Sequence, residues 1–200
     1  MLLKIYDKNP SARALAEVTA ALERGGVVIY PTDSVYAFGC SLHSPRGIET
    51  LRRLKGKVAE EFAVLFEGLS QVAEYCRVDD EAFRLLKRNL PGPFVFLLPA
   101  LSTLPARALS KRRTIGVRIP DHAVARAIVA ELGCPMLTTS VRIEDEEEYA
   151  TDPELIEERF GGEVALVVDG GPGNAVPTTV VDLTGGEPEI VREGRGELNE

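Results

Sequence analysis

The chain has no tryptophan, only two histidines and only three cysteines. It also lacks any apolar run of about 18 residues, the length a membrane-spanning helix needs. Each shortage closes a class. Cys40, Cys76 and Cys134 are odd in number and far apart, and no pair has the spacing of a zinc or redox motif. They are expected to be reduced structural thiols of a cytoplasmic protein. His43 and His122 do not fall near a cysteine in a ligand pattern, so no metal site made of protein side chains is expected. The start, Met1-Leu2-Leu3-Lys4-Ile5-Tyr6, is interrupted by Asp7 and Lys8 too soon for a signal peptide. No nucleophile triad, phosphate-loop lysine motif or dinucleotide glycine fingerprint is present.

What the chain does have is a globular composition, 44% hydrophobic over 200 residues, enough to bury a substantial core. The net charge of −8 argues against indiscriminate nucleic-acid binding. The charge is unevenly spread. Arg46 to Lys57 holds five bases and one acid, and Pro105 to Ile119 holds five bases and no acid. Ile143 to Glu163 holds ten acids and one base. Two readings of the basic segments stand: an anion site, or two solvated faces.

Strands are predicted over Leu2–Tyr6, Val27–Tyr30, Phe62–Phe66, Phe94–Leu98, Thr114–Ile119, Met136–Thr139, Val164–Val168, Thr179–Leu183 and Glu189–Arg192. Helices are predicted from the Ser11 cap to Arg24 and from the Ser44 cap to Leu54. Further helices are predicted over Leu69–Tyr75, Asp79–Asn89, Ala123–Leu132 and Pro153–Arg159. Strands alternate with helices, and the last three strands have none between them. The expectation is one α/β domain over residues 1–200 with a mixed sheet. Glu144 to Glu148 reads as a charged surface loop, with no linker or internal repeat elsewhere.

Val27-Val28-Ile29-Tyr30 ends at Pro31, which cannot donate to a sheet ladder, and a polar loop carrying Thr32, Asp33, Ser34 and Tyr36 follows. Open α/β sheets place ligands at such strand ends; an ordinary surface turn uses the same residues. Similar residues recur at other strand ends: Arg118, Thr138-Thr139-Ser140, Thr178-Thr179 and Arg192, with Lys55 and Lys57 after a helix. Hydroxyls, cations and glycines with few acids or bases suit the holding of phosphate and carboxylate. Nucleotidyl transfer needs little more than positioning and charge stabilisation. Singly, a strand threonine serves β-propensity and a lone arginine a weak surface pair.

Tyr30-Pro31-Thr32-Asp33-Ser34-Val35-Tyr36-Ala37-Phe38-Gly39 resembles the Pro-Thr-Asp-Thr-x-Tyr-Gly-Leu-Gly signature of the YrdC/YciO family of threonylcarbamoyl-AMP synthase-like proteins. Pro91-Gly92-Pro93, Gly116-Val117-Arg118-Ile119-Pro120, Thr138-Thr139-Ser140, Thr178-Thr179-Val180-Val181-Asp182 and Val191-Arg192-Glu193-Gly194 follow in the family's order. The resemblance implies a twisted mixed α/β sheet with flanking helices around a concave, positively charged cleft. It also implies a nucleotidyl transfer: L-threonine, bicarbonate and ATP give threonylcarbamoyl-adenylate and pyrophosphate, on the way to a modified adenosine in tRNA. By the resemblance, Thr32 and Arg118 hold threonine with Thr178 and Thr179 beside them. Lys55, Lys57, Thr114, Ser140 and Arg192 lie against ATP or AMP. Lys55, Arg118 and Arg192 serve the reaction, and Mg2+ enters with ATP. A family association with double-stranded RNA supplies a second reading, a non-catalytic binder of duplex RNA or tRNA.

The chain also departs from the synthases. Lys57 stands for the arginine of their Lys-x-Arg, Glu60-Glu61 follow it, and Arg142 stands for the asparagine of their Ser-x-Asn. Ala37-Phe38 and Phe94-Val95 replace Gly-Leu and Leu-Thr. A lysine lacks the planar fork of arginine. These changes point to the YciO branch, in which fold and cleft persist while synthase chemistry is weak or altered.

Overall fold

The computed structural model describes residues 1–56, 62–108, 113–142 and 150–199. Within them a single ten-stranded mixed sheet runs in the order β1-β8-β2-β3-β7-β4-β6-β5-β9-β10. The strands are β1 Leu2–Lys4, β2 Val28–Tyr30, β3 Ala37–Ser41, β4 Ala63–Leu65 and β5 Phe94–Pro99. They continue with β6 Thr114–Arg118, β7 Met136–Ser140, β8 Leu166–Asp169, β9 Thr179–Asp182 and β10 Glu189–Arg192. The pairs β1–β8, β2–β8, β4–β6 and β5–β9 are parallel; the other five are antiparallel.

Among the described residues there are six α-helices, four of them started by a side-chain cap. Ser11 accepts from the Ala14 N–H and starts α1, Ala12–Glu23. Ser44 accepts from Gly47 and Pro45 fills the first turn of α2, Pro45–Lys55. Helix α3 spans Leu69–Tyr75. Asp79 accepts from Ala82 at the start of α4, Asp80–Asn89. Helix α5, Ala123–Leu132, stops at Gly133. Asp152 caps α6, Pro153–Phe160. No helix among the described residues is long and apolar enough to cross a membrane.

One strand was not predicted. The connection from Pro31 to Tyr36 is only six residues long, and Ala37–Ser41 then returns as β3, antiparallel to β2 and paired on its other side with β7. All five β3 residues are buried. A strand covered on both faces shows no polar–apolar alternation, so the period that marks strands is absent from Ala37-Phe38-Gly39-Cys40-Ser41.

Two cores flank the sheet. On one face, α2, α3, α4 and α6 pack Ile48, Leu51, Val72, Leu86, Ile156 and Phe160 against Ile29, Phe38, Val64, Phe96, Val117 and Leu137. On the other face, α1 and α5 pack Leu15, Val18, Leu22, Val124 and Ile128 against Val28, Tyr30, Leu65, Met136, Leu166 and Val168. That second cover is incomplete. Leu65 and Met136 lie under it, yet Ala63, Thr138 and Ser140, which share their face by the two-residue strand period, line an open cavity. Beyond β4 the same face of β6, β5, β9 and β10 carries no helix from this second core. In β5 the alternation is plain: Phe94, Phe96 and Leu98 are buried in the first core, while Val95 and Leu97 are half-buried on the open face.

Candidate functional site

The open part of this face forms a cavity of about 340 Å³. Its apolar lining is Phe62, Ala63, Val95, Leu97, Val180 and Val191; its polar lining is Arg118, Thr138, Thr139, Ser140, Thr178 and Arg192. Gly116 lies in β6 between the lining residues Ala63 and Leu97, with which it pairs. A Cβ there would come within 2.7 Å of Val95 Cγ1 and 3.1 Å of Ala63 Cβ.

Arg118 ends β6, with a side chain 5% exposed. Its Nη2 donates to Asp33 Oδ1 at 2.7 Å and to Ser34 Oγ at 3.3 Å. Asp33, 8% exposed, uses its other oxygen to accept from the Asp121 N–H at 2.8 Å. Arg118 Nε is buried and has no hydrogen-bond partner. Buried donors are ordinarily satisfied, so this Nε is an exception, on a residue that lines the cavity.

The Thr32 hydroxyl closes its own turn. It donates to Val35 O at 2.7 Å and accepts from the Ser34 N–H at 3.1 Å. Thr138 Oγ1 donates to Phe38 O at 2.9 Å, so its 2.6 Å bond to Tyr30 is one in which the phenol donates. Burial pushes the Tyr30 phenol up to about 12.

At the opposite wall, Arg192 Nη2 donates to Thr178 O and Oγ1, both at 3.1 Å. The neighbouring Thr179 is turned to other work. Its hydroxyl donates to Gly196 O at 2.6 Å and accepts from Gly194 N at 3.1 Å and Gly196 N at 3.0 Å. It thereby pins residues 194–196 against β9. A Cβ on Gly194 would lie 2.4 Å from Pro177 O, so only glycine fits that strap.

A second cavity, about 540 Å³, is lined by the Thr32–Asp33 loop together with Arg88, Asp121, His122, Asn174 and Arg195. Burial holds the His122 imidazole below its ordinary range, and its Nδ1 lies 3.7 Å from Asp7 Oδ1. All three cysteines are free, and burial pushes the Cys40 and Cys76 thiols up to about 12. Among the described residues no group of His, Cys, Asp and Glu is placed to hold a metal ion.

The fold thus brings Arg118, Ser140, Thr178 and Arg192 to one cavity, although Arg118 and Arg192 come from β6 and β10, three places apart in the pairing order. Thr32 lines the 540 Å³ cavity instead. Lys55 is the last residue of α2 and Thr114 the first of β6; neither lines the 340 Å³ cavity. Lys57 lies outside the described residues, as do Glu60-Glu61 and Glu144 to Glu148. Of the described residues in the two basic segments, Arg118 alone lines this cavity. The strand-end reading passed over the apolar lining and the tie between Asp33 and Arg118. The half-buried alternation of β5 and β9 is the signal that could have shown the former.

This sheet and cleft meet a known family. Residues 20–194 match the model of the Sua5/YciO/YrdC family, described as "Telomere recombination", and the chain belongs to that family. The YciO protein of Escherichia coli K12, itself called uncharacterized, is 39% identical over 196 residues, covering 97% of this chain and 95% of YciO. The crystal structure of E. coli YciO superposes with a TM-score of 0.93 over 98% of this chain and 97% of that one. A threonylcarbamoyl-AMP synthase of Vibrio vulnificus is 27% identical over 160 residues, 78% of this chain and 86% of the synthase. P. abyssi Sua5, solved in complex with L-threonine, shares the fold at a TM-score of 0.89 and 24% identity; the match covers 97% of this chain and 57% of Sua5.

Proposed function

We propose that the cleft binds an adenine nucleotide, ATP or AMP, together with L-threonine, and supports weak synthesis of L-threonylcarbamoyladenylate. The observation that carries this reading is Arg118: a buried guanidinium with an unpartnered Nε, in one cavity with Ser140, Thr178 and Arg192. The kinship with a threonylcarbamoyl-AMP synthase supports it.

In this reading Arg118 takes the threonine carboxylate, with the turn of Thr32 and the hydroxyl of Thr178 beside it. Ser140 and Arg192 face the nucleotide, the apolar lining takes the base, and by the family resemblance Lys55, Lys57 and Thr114 serve its phosphates from beyond the 340 Å³ cavity. Mg2+ arrives with ATP as part of the substrate. Threonine's amine takes up CO2 from bicarbonate. A carbamate oxygen then attacks the α-phosphorus, the bond to the bridging oxygen breaks, and pyrophosphate leaves. The chain's part is to hold the reactants in line and offset negative charge. No side chain serves as a covalent nucleophile. Lys57 and Arg142, in place of the synthases' arginine and asparagine, make the turnover slow.

The test is pyrophosphate release from ATP, labelled bicarbonate and threonine. Threonine-dependent release above that of Lys55→Ala and Arg118→Ala variants is expected; no difference would sink the catalytic half. Salt-steep retention of duplex RNA without mononucleotide binding would replace this reading with that of an RNA binder.

A further inference from the structure

We propose that Asp33 determines what Arg118 accepts: it orients the guanidinium and cancels its charge, so this end of the cleft selects a net-neutral, carboxylate-bearing amino acid over a free anion. The inference rests on the reading of the cleft as an amino-acid and nucleotide site.

Both oxygens of Asp33 are committed, one to Arg118 Nη2 at 2.7 Å and one to the Asp121 N–H at 2.8 Å. The carboxylate therefore ties the β2–β3 loop to the β6–α5 loop and holds the guanidinium by one corner. A charge-assisted bond to a planar guanidinium fixes its plane as well as its place. The Ser34 hydroxyl supports the same nitrogen at 3.3 Å. The buried donor left over is Nε. Among the described residues Asp33 is the one acid within ion-pair distance of Arg118, and both side chains are more than nine-tenths buried.

The charges of the Arg118–Asp33 pair sum to zero. A free buried cation would draw inorganic phosphate or a dicarboxylate, and desolvating a lone charge is costly. The tied pair instead offers a directed N–H with no net charge. An α-amino acid brings both signs and suits it. Asp33 acts through Arg118 and is a positioning residue.

The test is calorimetric titration of the wild type, Asp33→Asn and Asp33→Glu with AMP, L-threonine and inorganic phosphate. Asp33→Asn is expected to weaken threonine about tenfold or more, equal to about 1.4 kcal/mol. It should leave AMP nearly unchanged and let phosphate compete. Asp33→Glu, which keeps the charge balance but moves the carboxylate, should still exclude phosphate. Threonine binding unchanged in Asp33→Asn, or threonine and AMP lost in parallel, would overturn the proposal.

A ligand-free readout separates this from the cleft's function. Nitrogen NMR of the Arg118 Nε–H should show one ordered resonance in the wild type and a broadened, shifted one in Asp33→Asn. An unchanged resonance overturns the positioning role, whatever the protein binds. A wild type that binds neither threonine nor AMP, but whose resonance responds to Asp33→Asn, overturns the functional reading and leaves the positioning role standing.

Discussion

One face of one sheet is built in two ways. Over β1, β8, β2 and β3 it lies under α1 and α5 and is filled with Leu22, Val28, Tyr30 and Leu166, all buried. Over β6, β5, β9 and β10 it has no cover from that core and carries glycine, half-buried valine and leucine, threonine and two arginines. The strand period is the same in both halves, and the partner layer differs. A face with no helix on it cannot be filled with large apolar side chains without exposing them. The open half is therefore where small and polar residues accumulate and where a ligand completes the packing.

The first way to sharpen this contrast is to make the same kind of cut in each half. Leu22→Ala in the covered half removes a fully buried side chain and should cost about 3 kcal/mol. Leu97→Ala in the open half should cost about 1 kcal/mol, because its side chain already borders a cavity. Urea unfolding of both variants checks the pair; equal losses would break the comparison.

At the seam, Asp33→Ala should cost about 2 kcal/mol. A buried pair broken on one side is expensive, but Arg118 faces a cavity that water can enter. A melting temperature within a degree of wild type would contradict that figure.

A smaller effect concerns pH. Burial lowers His122 from its ordinary 6.5, so the folded protein holds it neutral while the unfolded chain takes up a proton. Its contribution to stability is present above about pH 6.5 and is lost as pH falls below it. His122→Asn should flatten the decline in urea midpoint between neutral and mildly acidic pH; an unchanged slope would remove His122 from the seam's electrostatics.

The smallest effect is chemical. Cys40 and Cys76 are buried with thiols at about 12, whereas Cys134 is half-exposed. Alkylation of the folded protein should label Cys134 first, and equal labelling of all three would show the first core to be looser than described.

Much of the covered half could be read from residues in order. Ser11, Ser44 and Asp79 announced their helices through local hydrogen bonds, and α5 has the bounds that its apolar period and Gly133 predict. Strand β3 could not be read, because burial on both faces erased its alternation. The site was half legible. Cations and hydroxyls at strand ends marked Arg118, Ser140, Thr178 and Arg192, but which hydroxyl faces the cleft depends on register. Thr178 and Thr179 are neighbours that point to opposite tasks. The Asp33–Arg118 tie joins residues 85 apart in the chain, and no local pattern encodes it.

The open half as ligand site is tested most directly by following backbone amide resonances while AMP and L-threonine are added. Shifts should concentrate on Ala63, Gly116, Arg118, Ser140, Thr178 and Arg192, leaving α1 and the covered strands unmoved. Shifts confined to the covered half, or none at saturating ligand, would contradict it.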